Sequence, residues 1–309
     1  MSQALLLYFD DQAPAALSLA QASGLRAASV GRHRFPDGEL RLTLPFAAPG
    51  EAGTLPRPDT LVLLRSLNDP NEKLVEVLLI ASQARAWGVR RLVLVAPYLA
   101  YMRQDISFHP GEVISQRQVG RLLARDFDAV ITVDPHLHRI SELSEAVNVS
   151  QALALSAAPV LAQHAATALQ PDCPGTELML IGPDSESAPW IAAGAAVLGC
   201  EHGVCTKLRH GDHDVQIALP DLDVQGRRVV LLDDIASSGR TLAVAARGLL
   251  QRGAASVDVA VTHALLAHDA LGVIQQAGVR HFWSSDSVAH PSNVVPLAPL
   301  IAPALATAL

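Results

Sequence analysis

Short strand-like apolar runs recur along the chain at Leu5–Phe9, Leu61–Leu64, Leu92–Ala96, Ala129–Val133, Leu178–Ile181, Val229–Leu232, Val257–Val261 and His281–Trp283. Between several of them the apolar period changes to that of a helix. Leu74, Val77, Leu78, Ala81 and Ala84 form one stripe, and Val119, Leu122, Leu123 and Phe127 another, with Ser115 and Gln118 spaced as a capping box in front. A third stripe runs through Leu242, Ala245, Ala246, Leu249 and Leu250. Strands alternating with helices predict an α/β architecture with mainly parallel sheets flanked by helices. In such sheets ligands bind beyond the carboxyl ends of the strands.

Ala129–Asp134 (AVITVD) and Val229–Asp234 (VVLLDD) are both apolar strands that close on an acid, one in each half. The pair points to a duplication with a boundary between residues 145 and 158. A length of 309 residues accommodates two domains. Half the residues are hydrophobic but only 4 % are aromatic, so the core is built mainly from Ala, Leu and Val. The Pro- and Gly-rich stretch Ala47–Asp59 reads as a surface connection.

A net charge of −7 argues against a general nucleic-acid or membrane-surface binder, so a polyanionic ligand must be met by local positive charge. The three cysteines, Cys173, Cys200 and Cys205, have neither the even count nor the density of a secreted scaffold and read as buried free thiols. The N-terminal apolar run lacks a basic flank and meets acids at once, as a buried strand does and a signal peptide does not. The apolar tail Val294–Leu309 is interrupted by Pro296, Pro299 and Pro303, and no uncharged apolar stretch reaches about 20 residues. These features together predict a soluble cytoplasmic protein.

The chemistry concentrates in Val229–Leu242, VVLLDDIASSGRTL. Four apolar residues end in Asp233 and Asp234; a small-residue turn follows, and then the third helical stripe. Backbone N–H groups of the turn and the hydroxyls of Ser237, Ser238 and Thr241 stand at a helix N-terminus, where a phosphate is favoured. Two carboxylates beside such a cradle suit a polyhydroxylated phosphate ester, a magnesium ion, or both. The segment resembles the phosphoribosyl pyrophosphate loop of the type I phosphoribosyltransferase fold. That resemblance implies that Asp233 and Asp234 hold ribose hydroxyls while Ser237, Ser238, Gly239, Arg240 and Thr241 hold the 5-phosphate. Arg240 stands where that family most often has Gly; its side chain either crowds the loop or adds a phosphate contact.

Other segments carry weaker signals. Tyr98 and Tyr101 precede Arg103, Gln104 and Asp105; Arg and Gln can grip a phosphate and a purine edge, although alone the triplet also fits a solvated loop. Phe35, within RFPDGE, can stack on a base or be buried by a hairpin turn. His136 and His138 follow Asp134 in a spacing that suggests a transition metal, but no thiolate or third histidine lies nearby to make a zinc site. Lys207 and Arg209, one residue apart, would point the same way on an extended segment.

Taken in order, FPDGE, PYLAYMRQD, VDPH, IGPD at Ile181–Asp184, K-x-R, the acidic loop and the closing HPSN at His290 resemble the ribose-phosphate diphosphokinases. The short KLRHGDHDVQI region resembles the archaeal-type branch. The resemblance implies two type I phosphoribosyltransferase-like domains, with only the second keeping a sugar-phosphate loop. Expected boundaries are 1–147, 148–290 and a C-terminal segment 291–309 packing back on the first domain. It also implies ATP contacts at Phe35, Asp37, Glu39, Arg103 and Gln104, the first three reaching a neighbouring subunit of a homo-oligomer. His136 and Asp184 would lie by a Mg2+ ion, and Lys207 and Arg209 would act as catalytic cations on a flap. The implied reaction is attack of the ribose 5-phosphate anomeric hydroxyl on the β-phosphorus of ATP. A nucleobase phosphoribosyltransferase and a non-catalytic diphosphokinase-like subunit are the alternatives; the first needs neither RQD nor FPDGE, and the second tends to lose the flap cations or the acidic pair.

Overall fold

The computed structural model describes residues 4–137, 139–169, 178–209, 215–267 and 269–309. His138 and Cys173, discussed above, lie outside the described residues. The chain forms two compact units, one of residues 1–155 with 297–309 and the other of residues 156–296.

In the first unit the order is β1 (Ala4–Tyr8), α1 (Ala13–Ser23), β2 (Arg26–Ser29), β3 (Gly31–Arg34), β4 (Leu40–Thr43), β5 (Thr60–Leu64), α2 (Pro70–Ala86), β6 (Arg91–Ala96), α3 (Ser115–Asp126), β7 (Ala129–Val133), α4 (Leu143–Ala146) and β8 (Gln151–Leu155). A six-stranded sheet runs β2-β1-β5-β6-β7-β8, and every pairing in it is parallel. β3 and β4 pair antiparallel as a separate hairpin. One sheet face, including Leu5, Leu7, Leu61, Leu63, Leu92 and Leu94, packs on Leu74, Val77, Ile80, Ala81 and Ala84 of α2 and on Val119 and Leu123 of α3. Of the expected α2 stripe, Leu78 is only half-buried and Ile80 joins the core in its place. Leu122 is exposed, so the α3 stripe is narrower than its spacing suggested.

The second unit contains α5 (Ala158–Leu169), β9 (Leu178–Gly182), α6 (Ala188–Leu198), β10 (Glu201–Val204), β11 (Thr206–Arg209), β12 (Val215–Ala218), β13 (Arg228–Ala236), α7 (Arg240–Gln251), β14 (Ser256–Ala264), α8 (Ala270–Gln276), β15 (Val279–Ser285) and β16 (Asn293–Val295). Its parallel sheet runs β10-β9-β13-β14-β15-β16, and β11 and β12 form an antiparallel hairpin. α7 buries Leu242, Ala245, Ala246 and Leu249 against the sheet, as its apolar spacing predicted. The last helix, α9 (Ala298–Ala308), belongs to the first unit, where it packs on α1. There Arg91 donates to the Ala308 carbonyl and Gln151 to that of Thr307. In the second unit α5 packs on α6 in the corresponding way.

The two sheets share one order, with a hairpin inserted before the third strand of each. This order corrects the expected repeat. β7 is fifth in its sheet and β13 is third, so AVITVD is not the counterpart of VVLLDD. The counterpart of β13 is β5, and Leu61–Leu74 (LVLLRSLNDPNEKL) aligns with Val229–Leu242 (VVLLDDIASSGRTL) without a gap. Registers agree, because Leu63 pairs with Leu7 as Leu231 pairs with Ile181. Arg65 and Ser66 therefore stand where the second unit has Asp233 and Asp234.

Candidate functional site

β13 is apolar until it leaves the core, because its buried middle, Val229–Leu232, lies between two strands and under helices. Its carboxyl end then carries Asp233, half-buried, and Asp234, buried, with the Asp234 N–H donating to Asp233 Oδ1 at 3.1 Å. Asp184 follows the end of the neighbouring β9, where its side chain accepts from the Glu186 N–H at 3.1 Å and starts a 3-10 turn. Desolvation, with the charges of Asp234 and then Asp184, holds the Asp233 carboxyl well above the ordinary carboxylate range. The same Asp184 charge adds to burial in pushing the Cys205 thiol up to about 12, so this cysteine is an inert packing group.

After Ala236 the chain turns through Ser237, Ser238 and Gly239 into α7. Ser237 is partly exposed and Ser238 exposed, while Gly239 is buried at φ 70°. A Cβ on Gly239 would meet the Ala270 carbonyl oxygen at 2.9 Å and Ile274 at 2.9 Å. Glycine is required here both by conformation and by space. Arg240, by contrast, is the first helical residue of α7, exposed, and outside the left-handed region. The sterically tight position of the turn is thus Gly239 and not Arg240. The first N–H groups of α7 have no intrahelical acceptor, so the turn presents donors and the positive end of a 12-residue helix. Lys207 and Arg209 sit on β11, opposite Ile217 and Val215 of β12, and residues 210–214 lie outside the described residues.

The first unit carries the remaining candidates. Phe35, Asp37 and Glu39 form the exposed tip of the β3–β4 hairpin. Phe35 is neither buried by the turn nor free, since the His33 ring meets it edge-on at 4.8 Å and the Arg41 guanidinium lies 5.9 Å from its centroid. Arg103 is exposed. Gln104 has a role that the spacing of α3 hid: its Oε1 accepts from the Ser115 hydroxyl at 2.5 Å and from the Ser115 N–H at 3.3 Å. Ser115 is thus the first residue of α3 and no capping box forms there. Asp105, buried, accepts from Arg139 at 2.5 Å, which ties the RQD segment to the chain that follows β7. In the sequence Arg139 carries only a weak signal, an arginine directly after the two histidines. His136 is half-buried on that same segment, which leaves β7 through Asp134 at φ 37°.

The acids at the end of β13 and the turn at the start of α7 have the chemistry that suits a phosphorylated sugar. The model for the N-terminal domain of ribose phosphate pyrophosphokinase matches residues 5–125, and that for the phosphoribosyl transferase domain matches residues 149–271. A ribose-phosphate pyrophosphokinase of Methanopyrus kandleri is 35% identical over 93% of this chain and 93% of its own. One of Halobacterium salinarum is 32% identical over 94% and 96%. The chain belongs to the ribose-phosphate pyrophosphokinase family. A crystal structure of phosphoribosylpyrophosphate synthetase from Mycobacterium smegmatis shares the fold, with a TM-score of 0.80 at 21% identity over 99% of this chain and 98% of that one. The pyrophosphokinase relatives are mostly archaeal, as the short KLRHGDHDVQI region led us to expect.

Asp184, Asp233 and Asp234 supply the oxygen donors that a hard divalent cation takes, and the excess negative charge felt by Asp233 is what such a cation relieves. Among the described residues no three His, Cys, Asp or Glu side chains are set to hold a metal alone. No helix among the described residues is long and apolar enough to cross a membrane.

Proposed function

We propose that this chain transfers the β,γ-diphosphoryl group of ATP to the anomeric hydroxyl of ribose 5-phosphate, giving 5-phosphoribosyl 1-diphosphate and AMP. The observation that carries the reading is the carboxyl end of β13, where Asp233 and Asp234 directly precede a phosphate-sized turn at the N-terminus of α7. Family membership over nearly the whole chain adds the first unit and its candidate ATP contacts.

Asp233 and Asp234 accept hydrogen bonds from the ribose hydroxyls, and Ser237, Ser238, Gly239, Arg240 and Thr241 bind the 5-phosphate. Arg240, exposed beside the turn, adds a guanidinium to that cradle. Phe35, Asp37 and Glu39 contact adenine in a neighbouring subunit, which makes the active form a homo-oligomer of at least two chains. Arg103 binds the triphosphate. Gln104 spends its Oε1 on α3, which leaves its amide N–H groups as the donors for ATP. Asp184 and His136 hold or orient Mg2+, which when bound offsets phosphate charge. Lys207 and Arg209 stabilise the charge that develops on the transferred group, since phosphoryl transfer asks a protein chiefly for alignment and electrostatics. A cytoplasmic site of action fits these substrates.

The test is AMP release from ATP with and without ribose 5-phosphate. Release that depends on the sugar phosphate and yields a product consumed by a phosphoribosyltransferase supports the reading; release independent of the sugar, or none, overturns it.

A further inference from the structure

The hairpin that carries Phe35, Asp37 and Glu39 is held to its own unit by Leu42 of β4, packed on the core, and by a ladder of charges from β3. Arg32 and Arg34 lie two residues apart on β3, and Glu72 and Glu76 four apart on α2. Two residues of strand advance about 6.6 Å and four of helix about 6 Å, so the two rows match rung for rung. Arg32 donates to Glu76 Oε1 at 2.8 Å, and Arg34 pairs with Glu72. Arg34 also donates to the Gly38 carbonyl within the turn, at 3.5 Å.

Glu76 is fully buried, and its other oxygen accepts from Arg65 Nε at 2.8 Å. Arg65, also fully buried, reaches Asp11 through Nη1 at 2.8 Å. Arg32, Glu76, Arg65 and Asp11 thus form a charge-neutral quartet that joins β3, α2 and the ends of β5 and β1. Both guanidinium groups cover the Phe9 ring, Arg65 at 4.3 Å and Arg32 at 5.3 Å. On the opposite face of the hairpin His33 and Arg41 clamp Phe35. A two-stranded hairpin is marginal in water, so the direction of its tip is set by what grips its base.

We infer that Arg32, Arg34, Glu72 and Glu76 are positioning residues that pre-orient the hairpin tip for ATP. The role attributed to that tip rests on the function proposed above; the latch itself rests on the contacts. In the first unit the strand end equivalent to the sugar site has thereby become an anchor: Arg65, in the place of Asp233, grips Glu76, which grips the hairpin. Without the latch, ATP binding must bear the cost of ordering the tip. The half-buried Arg32–Glu76 rung carries most of the effect, because the exposed Arg34–Glu72 pair is of the class worth little alone.

Arg32→Met tests this and leaves Glu76 paired with Arg65. The KM for ATP is expected to rise about tenfold, while kcat and the KM for ribose 5-phosphate stay within about twofold. Amide exchange across residues 31–43 should accelerate with α2 unchanged, and Arg32→Lys should recover part of both effects. Exchanging the outer rung, Arg34→Glu with Glu72→Arg, should restore a KM that either single change raises about twofold to threefold. Unchanged exchange in the hairpin, or equal losses for both substrates accompanied by a lower Tm, overturns the latch. Should the wild-type protein show no sugar-dependent AMP release, the functional reading fails, and hydrogen exchange alone decides the latch: acceleration upholds it, no change removes it.

Discussion

β5 and β13 occupy the same place in two sheets of the same order, yet their carboxyl ends have opposite electrostatics. Beyond β5 a buried arginine meets an acid on either side, Arg65 between Glu76 and Asp11. Beyond β13 an acid meets acids, Asp233 against Asp234 and Asp184, and its carboxyl is held in a high range as a result. At the first end the arginine is paired with acids of its own unit. The second gathers three acids, the charge pattern that the proposed sugar-phosphate and metal site would use. A turn that starts with Ser237 and closes on a left-handed Gly239 completes the difference; the aligned stretch of the first unit instead enters α2 through Asp69 at φ 54° and Pro70, with Lys73 bonded to Asn68 at 2.8 Å. A shared fold therefore does not transmit a site; a few side chains at one strand end decide it.

The contrast can be broken most severely at the cations that serve the second unit. Lys207→Ala is expected to lower turnover by about 10²–10³, with ribose 5-phosphate affinity nearly intact by calorimetry. Loss of sugar binding in that variant would remove Lys207 from the role of a charge stabiliser.

Next in size is stability, where the equivalent positions should respond with opposite signs. Arg65→Met strands Glu76 with Arg32 alone and should cost about 3–5 kcal/mol in denaturant unfolding, the range for breaking a buried pair. Asp233→Asn should instead raise the Tm of the ligand-free, metal-free protein at neutral pH by about 2–4 °C. The sign follows from linkage. With its folded value raised, Asp233 costs nothing where it is protonated in both states, and it erodes stability as pH climbs past the unfolded carboxylate value. The gap between Asp233→Asn and wild type should therefore close as pH falls below that value, and a gap independent of pH would refute the electrostatic account.

The smallest effects separate two adjacent residues. Gly239→Ala should weaken ribose 5-phosphate binding by about tenfold or more, since it forces a left-handed residue and a 2.9 Å contact with the Ala270 carbonyl. Arg240→Gly should change affinity by about threefold or less, the scale of one exposed phosphate contact. Equal losses at both positions would mean that the turn does not discriminate them as its geometry requires.

Much of this was legible in the chain. The apolar runs gave the long central strands, and VVLLDDIASSGRTL gave the acidic end, the turn and α7 in their observed places. The short edge elements β2, β8, β10 and β16 left no clear pattern, because edge strands bury little of the alternation that periodicity detects. The internal repeat was present as LVLLRS against VVLLDD, but a search keyed on acids selects AVITVD, since the true counterpart has exchanged acid for arginine. Gln104 and Arg139 act through partners distant in sequence, Ser115 and Asp105, which spacing alone does not reveal.

The central claim is that each chain holds one sugar-phosphate site, at the end of β13, and that the equivalent edge of the first unit has none. Calorimetric titration of the wild-type chain with ribose 5-phosphate, beside Asp233→Asn combined with Asp234→Asn, tests it directly. The account predicts one site per chain in the wild type, weakened about 10²-fold or more in the double variant by loss of hydrogen bonds to two charged groups. Two sites per chain, or binding unchanged by the double substitution, would contradict it.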